Sequence, residues 1–543
     1  MRCATSSRLV RRVPGIEAIR PADVQARRQS AGCTNAAPDP IGGRRNDRLA
    51  APGRPAGRRC AASPAVIYPC PARRPERAVP LRHRRLHVHH PIALIGAGPS
   101  GLAGARALDA AGLDFVGFEA SSDVGGLWDI DNPRSTVYES AHLISSRTTT
   151  EFAEFPMDSS IDYPGHRELV RYFGAFADRF DLRRRFRFGT RVVRVEPVDG
   201  DASGQRGWLV TSEGPEGRRT ETFSAVVLAN GTLAEPNVPA FRGEFAGEIR
   251  HSSAYKRAQE FAGKRVLVIG AGNSGCDIAV DAVHHAASVD LSVRRGYWFV
   301  PRYLFGKPSD TLNQGRPLPA RIKQFVDSRV LKLFTGDPVR FGFPKPDYKI
   351  YESHPIVNTL VLNHLGQGDL RVKPDIDRFE GSTVHFADGS SADYDLLLLA
   401  TGYRLDYPFV DREHLDWTGD APELYLNVFP RSFNGLAVLG MIEASGIGWE
   451  GRAEQARLLG RYLKAVQDAP ASAARFRAQA AKPWPDLTGG YRYLGLARMS
   501  YYVNKDAYRG TVRKLTETLP DPARAPRAAA TTAATAEHEG VRA

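Results

Sequence analysis

The stretches IALIGAGPSGLAGARAL and RVLVIGAGNSGCDIAV write the same pattern twice in one chain, 174 residues apart. Each joins a short apolar run to G-x-G-x-x-G and then to a helical segment, with Gly96, Gly98 and Gly101 in the first and Gly270, Gly272 and Gly275 in the second. A tight turn, a close backbone approach to a pyrophosphate and a close helix crossing each require a residue without Cβ, and the helix N-terminus that follows attracts phosphate. Further Val/Ile/Leu runs, LDFVGFEA, AVVLANG, VDLSVRRG and DLLLLATGY, alternate with helical patterns along the chain. Such runs suit buried parallel strands. The predicted fold class is α/β, with two Rossmann-like dinucleotide-binding domains.

The residue that closes the second strand of each unit sets its nucleotide preference. LDFVGFEA ends near Glu119, 18 residues after Gly101. A carboxylate there accepts hydrogen bonds from ribose hydroxyls and repels a 2′-phosphate. VDLSVRRG instead puts Arg294 and Arg295 about 19 residues after Gly275, and a guanidinium fork pairs with phosphate bidentately. One acidic and one basic site predict two different cofactors, FAD held at the first and NADPH visiting the second.

Charge and cysteine usage narrow the remaining classes. The formal charge of +14 comes entirely from residues 1–90, which hold 19 Arg against 5 acidic residues; the rest balances at 55 basic and 55 acidic. A neutral body gives no reason to expect a nucleic-acid partner. Rich in Arg, Pro, Ala and Gly without periodicity, residues 1–90 are expected to be disordered. They read as a basic interaction arm, a transit-like peptide, or translated sequence upstream of the true start, the last being favoured. The low-complexity tail at 520–543 is expected to be flexible. Four of the five cysteines lie in the first segment, which leaves Cys276 alone in the body and excludes a redox cysteine pair, a disulfide framework and a metal-ligand spacing. No apolar run approaches the roughly 18 residues a membrane span needs, so the body is expected to be cytoplasmic, with no membrane partner.

The stretch FAGEIRHSSAY, just before the second glycine turn, matches F-x-G-x-x-x-H-x-x-x-[YF] with Phe245, Gly247, His251 and Tyr255. With GGLW at 125–128, YES at 138–140, EFPM at 154–157, GNSG at 272–275, the ATGY ending at Tyr403 and EQAR at 454–457, the chain resembles the flavin-containing monooxygenases, class B flavoprotein monooxygenases, over about 91–515. The resemblance implies a FAD-binding domain in two parts, 91–261 and 386–519, with an NADPH-binding domain inserted at 262–385. It places the fingerprint on the connection between them, where glycine permits hinge geometry and His251 either orients the linker or is a satisfied structural histidine. It also implies that Gly126, Leu127 and Trp128 meet the flavin nucleotide, that Asn273 and Ser274 help hold NADP, and that Gly402 closes the FAD domain near its cofactor.

By the same resemblance the chain is an NADPH-dependent flavin monooxygenase that inserts one atom of O2 into a small organic substrate through a C4a-(hydro)peroxyflavin. Tyr255 followed by Lys256 favours nucleophilic N or S as the atom attacked, with Baeyer–Villiger oxidation of ketones and uncoupled NADPH oxidation as alternatives. Ile144 stands where many members carry an Asn beside the flavin, and it cannot donate a hydrogen bond; His142 is the nearby polar candidate to compensate. No side chain is assigned proton-transfer chemistry, since the cofactor carries the difficult step. The aromatic- and proline-rich segment 297–350 either covers the approach to the flavin or is an ordinary packed excursion. Oligomeric state is left open, a homo-oligomer among the options.

Overall fold

The computed structural model describes residues 90–198, 207–313, 315 and 317–522. The segments expected to be disordered or flexible, 1–90 and 520–543, lie outside the described residues except at 90 and 520–522. Two five-stranded parallel sheets carry the glycine turns. The first has the order Leu436–Val438, Ala225–Leu228, Ile92–Ile95, Phe115–Phe118, Phe186–Arg187. The second has the order Glu248–His251, Leu396–Leu399, Arg265–Ile269, Ser288–Ser292, Leu370–Lys373. In both, the strand that enters the glycine turn is central and is flanked by a four-residue apolar strand contributed from much later in the chain.

Strand alternation explains why these runs are apolar throughout. Ile92 and Leu94 face a core shared with Leu102 and Leu108 of the helix Pro99–Ala110, while Ala93 and Ile95 face Val195, Trp208 and Phe223 of an antiparallel three-stranded sheet. A strand covered on both faces has no solvent side to mark with polar residues. Each fully buried aliphatic side chain contributes about 1.5–3 kcal/mol. The helix Gly448–Asp468 crosses the first-turn helix so closely that a Cβ on Gly460 would lie 3.0 Å from the Ala107 carbonyl oxygen.

The expected boundary at 385/386 is not where the second unit ends. Leu396–Leu399, the LLLL of DLLLLATGY, pairs with Arg265–Ile269 and with Glu248–His251, so this strand is internal to the second sheet. On the other side of the turn the fingerprint strand Glu248–His251, expected in the linker before 262, forms the edge of the same sheet. Arg242–Phe245 runs parallel to Ile376–Gly381 in a four-stranded sheet with Thr383–Phe386 and Ser391–Asp393. Gly402 accordingly follows the second sheet's own strand and not a strand of the first. An apolar run of this length satisfies either sheet equally, which is why sequence misassigned it.

Candidate active site

At the first turn Gly96 has φ +105° and a Cβ there would sit 2.6 Å from the Ala229 carbonyl oxygen; one on Gly101 would fall inside the Gly96 carbonyl oxygen. Gly98 caps the helix Pro99–Ala110 with no side-chain hydrogen bond, which leaves its first backbone N–H groups for an anion. Glu119 is buried at the end of the second strand; its carboxylate accepts from Ala97 N at 2.6 Å and from Ser121 N at 2.8 Å. Those two amides hold it against the turn. Gly125 N donates to Ala97 O at 3.1 Å, and a Cβ on Gly126 would lie 2.9 Å from Gly98 Cα, so the GGLW segment lies directly on the glycine turn. Trp128 is half-buried, edge-on to Trp449 at 6.3 Å, and Leu127 packs toward the second unit's core.

The second turn repeats this geometry. Gly270 has φ +102°, with a Cβ 2.7 Å from Ala400 O; one on Gly275 would overlap Gly270 O; Gly272 caps the helix Asn273–Val283 and faces open space. Arg294 is exposed and Arg295 half-buried, and among the described residues Arg295 Nη1 is buried without a hydrogen-bond partner. Asn273 does not point freely into this cradle. Its amide donates to Pro355 O at 3.2 Å and accepts from Val357 N at 2.7 Å, fixing the 355–357 loop beside the turn. Uncapped helix ends, side-chain-free cradles and an unmet buried guanidinium nitrogen are what an adenine dinucleotide would fill, so the residues fit the two expected cofactors.

Two chain crossings connect the units side by side. Glu235–Pro236 pairs antiparallel with Tyr403–Arg404, and Asn237 Nδ2 donates to Thr401 O at 3.2 Å. Gly402, at φ +84°, has its carbonyl turned so that it accepts both Asn237 N at 2.9 Å and His251 Nε2 at 3.0 Å. His251 Nδ1 accepts from Ser253 N at 3.1 Å. That pattern fixes the Nε2–H tautomer, and burial holds the imidazole below its usual pKa. Both ring nitrogens are thus satisfied where the crossings meet. Gly247 is required for a reason other than hinge freedom. Its φ is not positive, but a Cβ would lie 2.6 Å from Phe245 Cε1 and 2.8 Å from Asp395 O, so the residue makes room for the Phe245 ring, which packs on Phe379.

Tyr255 joins a cluster that sequence reasoning missed. It is fully buried, stacks on Phe261 at 5.0 Å and donates to Asp281 Oδ2 at 2.8 Å. Tyr138 donates to Asp277 Oδ2 at 3.2 Å and lies 5.6 Å from the Tyr255 ring; Ser274 hydrogen-bonds the Tyr138 hydroxyl. Ser140 also donates to Asp281, and Asn358 to Asp277. Asp277 and Asp281 are four residues apart on the second-turn helix and so share one face. They clamp the YES segment of the first unit and the fingerprint tyrosine to the helix that starts at the second glycine turn. Burial raises both carboxyls above the usual carboxylate range. The acidic pair on one face of the predicted helix was the available signal.

Comparison with known proteins decides the family. The sequence matches the flavin-binding monooxygenase-like family model over residues 89–483. The chain belongs to this family. It is 33% identical over 377 residues to flavin-containing monooxygenase 5 of Mus musculus, covering 65% of this chain and 70% of the relative. It is 31% identical over 403 residues to human flavin-containing monooxygenase 2, covering 70% and 74%. Among solved structures, S-allyl-L-cysteine S-oxygenase from Allium sativum superposes with TM-score 0.55 at 21% identity, over 79% of this chain and 89% of that one. Cyclohexanone monooxygenase superposes with TM-score 0.57 at 20% identity, over 79% and 98%. These share the two-unit α/β fold. The protein is an NADPH-dependent flavin monooxygenase with FAD and NADPH as cofactors. Among the described residues no helix is long and apolar enough to cross a membrane.

In this monooxygenase Ile144 is half-buried, and the hydroxyls of the two residues after it are engaged elsewhere. Ser145 pairs with Thr150 at 2.8 Å, and Ser146 donates to Asp310 Oδ2 from N at 2.7 Å and from Oγ at 3.0 Å. His142 is exposed, donates from Nδ1 to Ser140 O at 2.7 Å and lies over Gly165. Asp310 brings the 297–350 excursion onto this segment, as do the Tyr303 hydroxyl, which donates to Asp162 at 3.0 Å, and the Tyr163 hydroxyl, which donates to Arg302 O at 2.5 Å. Cys276 is fully buried, the sole cysteine among the described residues.

A second group missed by sequence surrounds His354, whose Nδ1 meets the Tyr502 hydroxyl at 3.2 Å. Glu443 follows Gly440, whose Cα stands against Ser100 at the first helix N-terminus, and burial holds its carboxyl above the usual range. Burial, with the Arg498 charge adding, pushes the His354 imidazole down to about 3. An unfolded histidine titrates near 6.5, so below that the unfolded chain takes a proton the folded chain refuses. Stability present above about pH 6.5 is lost as pH falls toward 3, by up to about 1.4 kcal/mol per unit. His354→Gln is expected to flatten that part of the curve when Tm is followed against pH.

Proposed function

We propose that the first turn binds the pyrophosphate of FAD, with Glu119 on its adenosine ribose, and that the second binds NADPH through Gly270, Gly272, Gly275 and the Arg294–Arg295 pair. The single observation that carries this reading is the opposed charge at equivalent positions of two uncapped turns, a buried carboxylate at one and a guanidinium nitrogen without a partner at the other. Bound FAD and NADPH supply the oxygen-activating and reducing chemistry. The chain's own residues position and enclose: the glycine turns orient the two nucleotides, the Asp277–Asp281 clamp holds their units together, and Trp128 packs beside the first turn and excludes water. The first unit comprises the residues around 91–236 and 403–519, and the second about 242–399.

The substrate is a small molecule oxidised at nucleophilic nitrogen or sulfur, the reading that Tyr255 and Lys256 favour. Lys256 Nζ donates to Ser135 O at 2.7 Å and Val137 O at 3.1 Å, and Tyr255 fills its site completely, so this pair stitches the interface. Offering a tertiary amine, a thioether and a cyclic ketone and identifying the products tests the choice; lactone as the main product favours the Baeyer–Villiger alternative. The apolar Ile144, with no free hydroxyl beside it, supports a second reading as an NADPH oxidase, in which peroxide released would match NADPH consumed. Action in the cytoplasm is part of the proposal. Replacing both Arg294 and Arg295 by Ala is expected to raise the KM for NADPH about ten- to hundredfold while that for NADH stays put, as loss of charge-assisted bonds of roughly 1.5–3 kcal/mol dictates. Steady-state kinetics with both nucleotides would reject the assignment if NADPH preference survived.

A further inference from the structure

A cavity of about 580 Å³ opens between the Tyr425–Phe433 region and the chain just after the helix Pro470–Ala480. It shares no lining residue with either glycine turn, so it is separate from the cofactor sites. Its walls are aromatic: Tyr425 and Trp484 stand at 62° with centroids 5.8 Å apart, and Phe433 closes a third side. Its charged groups are all cationic. Arg431, Arg477 and Lys482 line it, and no acidic residue does. The Arg431 guanidinium lies 4.8 Å from the Trp484 ring and is bonded outward to Glu423 at 3.0 Å. Among the described residues the Arg477 guanidinium donates only to the neutral Tyr462 hydroxyl, at 3.3 Å. Among the described residues the Lys482 ammonium has no hydrogen-bond or ion-pair partner.

The open Trp484 ring selects a planar ring, and two cations without carboxylate partners among the described residues select a negative charge at its rim. The volume lies in the range of small-ligand sites. Trp484 is 38% exposed, a large ring left open at the mouth. We propose that this cavity is a binding site for a planar aromatic anion, a carboxylate of one or two fused rings, held by Arg477 and Lys482 with its ring against the exposed Trp484.

The test uses the full-length protein loaded with FAD and saturated with NADP⁺, so that the cofactor sites are filled, and titrates 2-naphthoate while Trp fluorescence and heat are followed. Its neutral counterpart 2-naphthamide is the control. The expected result is that naphthoate binds at least tenfold more tightly than the amide, that replacing Arg477 by Gln and Lys482 by Ala together lowers naphthoate affinity at least tenfold without changing that of the amide, and that Trp484→Phe diminishes the fluorescence change. Equal binding of acid and amide, or full naphthoate affinity in the double variant, would overturn the site. Unchanged FAD content and Tm in the variants separate loss of the site from loss of the fold. The naphthoate readout is binding and not turnover, so it does not depend on which substrate the monooxygenase oxidises.

Discussion

Gly101→Ala is expected to purify colourless. A Cβ at this position would occupy the space of the Gly96 carbonyl oxygen, which is backbone and cannot rotate away as a side chain could. The helix Pro99–Ala110 must then lift from the turn, carrying off the backbone N–H groups that await a pyrophosphate. Overpacking of this kind costs about 1–3 kcal/mol in stability, and FAD affinity should fall more than about a hundredfold, roughly 2.7 kcal/mol. Gly419→Ala is the control: its φ is not positive, and a Cβ there would meet nothing within 4 Å, so that variant should stay yellow. Absorbance near the flavin bands against protein concentration reads both. A fully yellow Gly101→Ala would mean that the first turn does not hold the cofactor.

Asp281→Ala should destabilise the enzyme by about 2 kcal/mol and raise the KM for NADPH several-fold. The substitution leaves the Tyr255 hydroxyl, in a fully buried residue, and the Ser140 hydroxyl without their shared acceptor, and unmet buried donors cost about 1–3 kcal/mol. Asp281→Asn keeps an acceptor oxygen and removes the charge, so it should cost much less. The pH dependence separates the two contributions. Because the folded carboxyl titrates above its unfolded value, the folded state holds the proton more tightly, and stability falls as pH rises through the window between the two values. Asn and Ala both abolish that fall, and Ala in addition lowers the whole curve because it leaves the Tyr255 and Ser140 hydroxyls without an acceptor. Thermal denaturation across mildly acidic pH distinguishes these outcomes, and identical curves for all three proteins would leave the clamp without a role.

What sequence could see and what it could not divide along a physical line. The glycine turns and Glu119 were legible because their requirements are local: a missing Cβ, a strand end, a carboxylate 18 residues on. The strand Leu396–Leu399 was legible as a strand but not as a member of the second sheet, since a run buried on both faces carries no mark of its neighbours. Gly247 was read as freedom and is in fact crowding, a distinction that needs the Phe245 ring and the Asp395 carbonyl in place. The Tyr138–Asp277 and Ser140–Asp281 bonds join residues 139 and 141 positions apart, beyond any periodicity.

The strand order of the two sheets carries a consequence for biogenesis. The second sheet draws all its strands from one continuous stretch, 248–399, whereas the first waits for Leu436–Val438 and then for the helix Gly448–Asp468 to cover its turn helix. During synthesis domains fold as their chain becomes complete. The unit that begins later in the polypeptide can therefore finish earlier, and the one that begins earlier must wait, half-assembled, until the helix Gly448–Asp468 has been made.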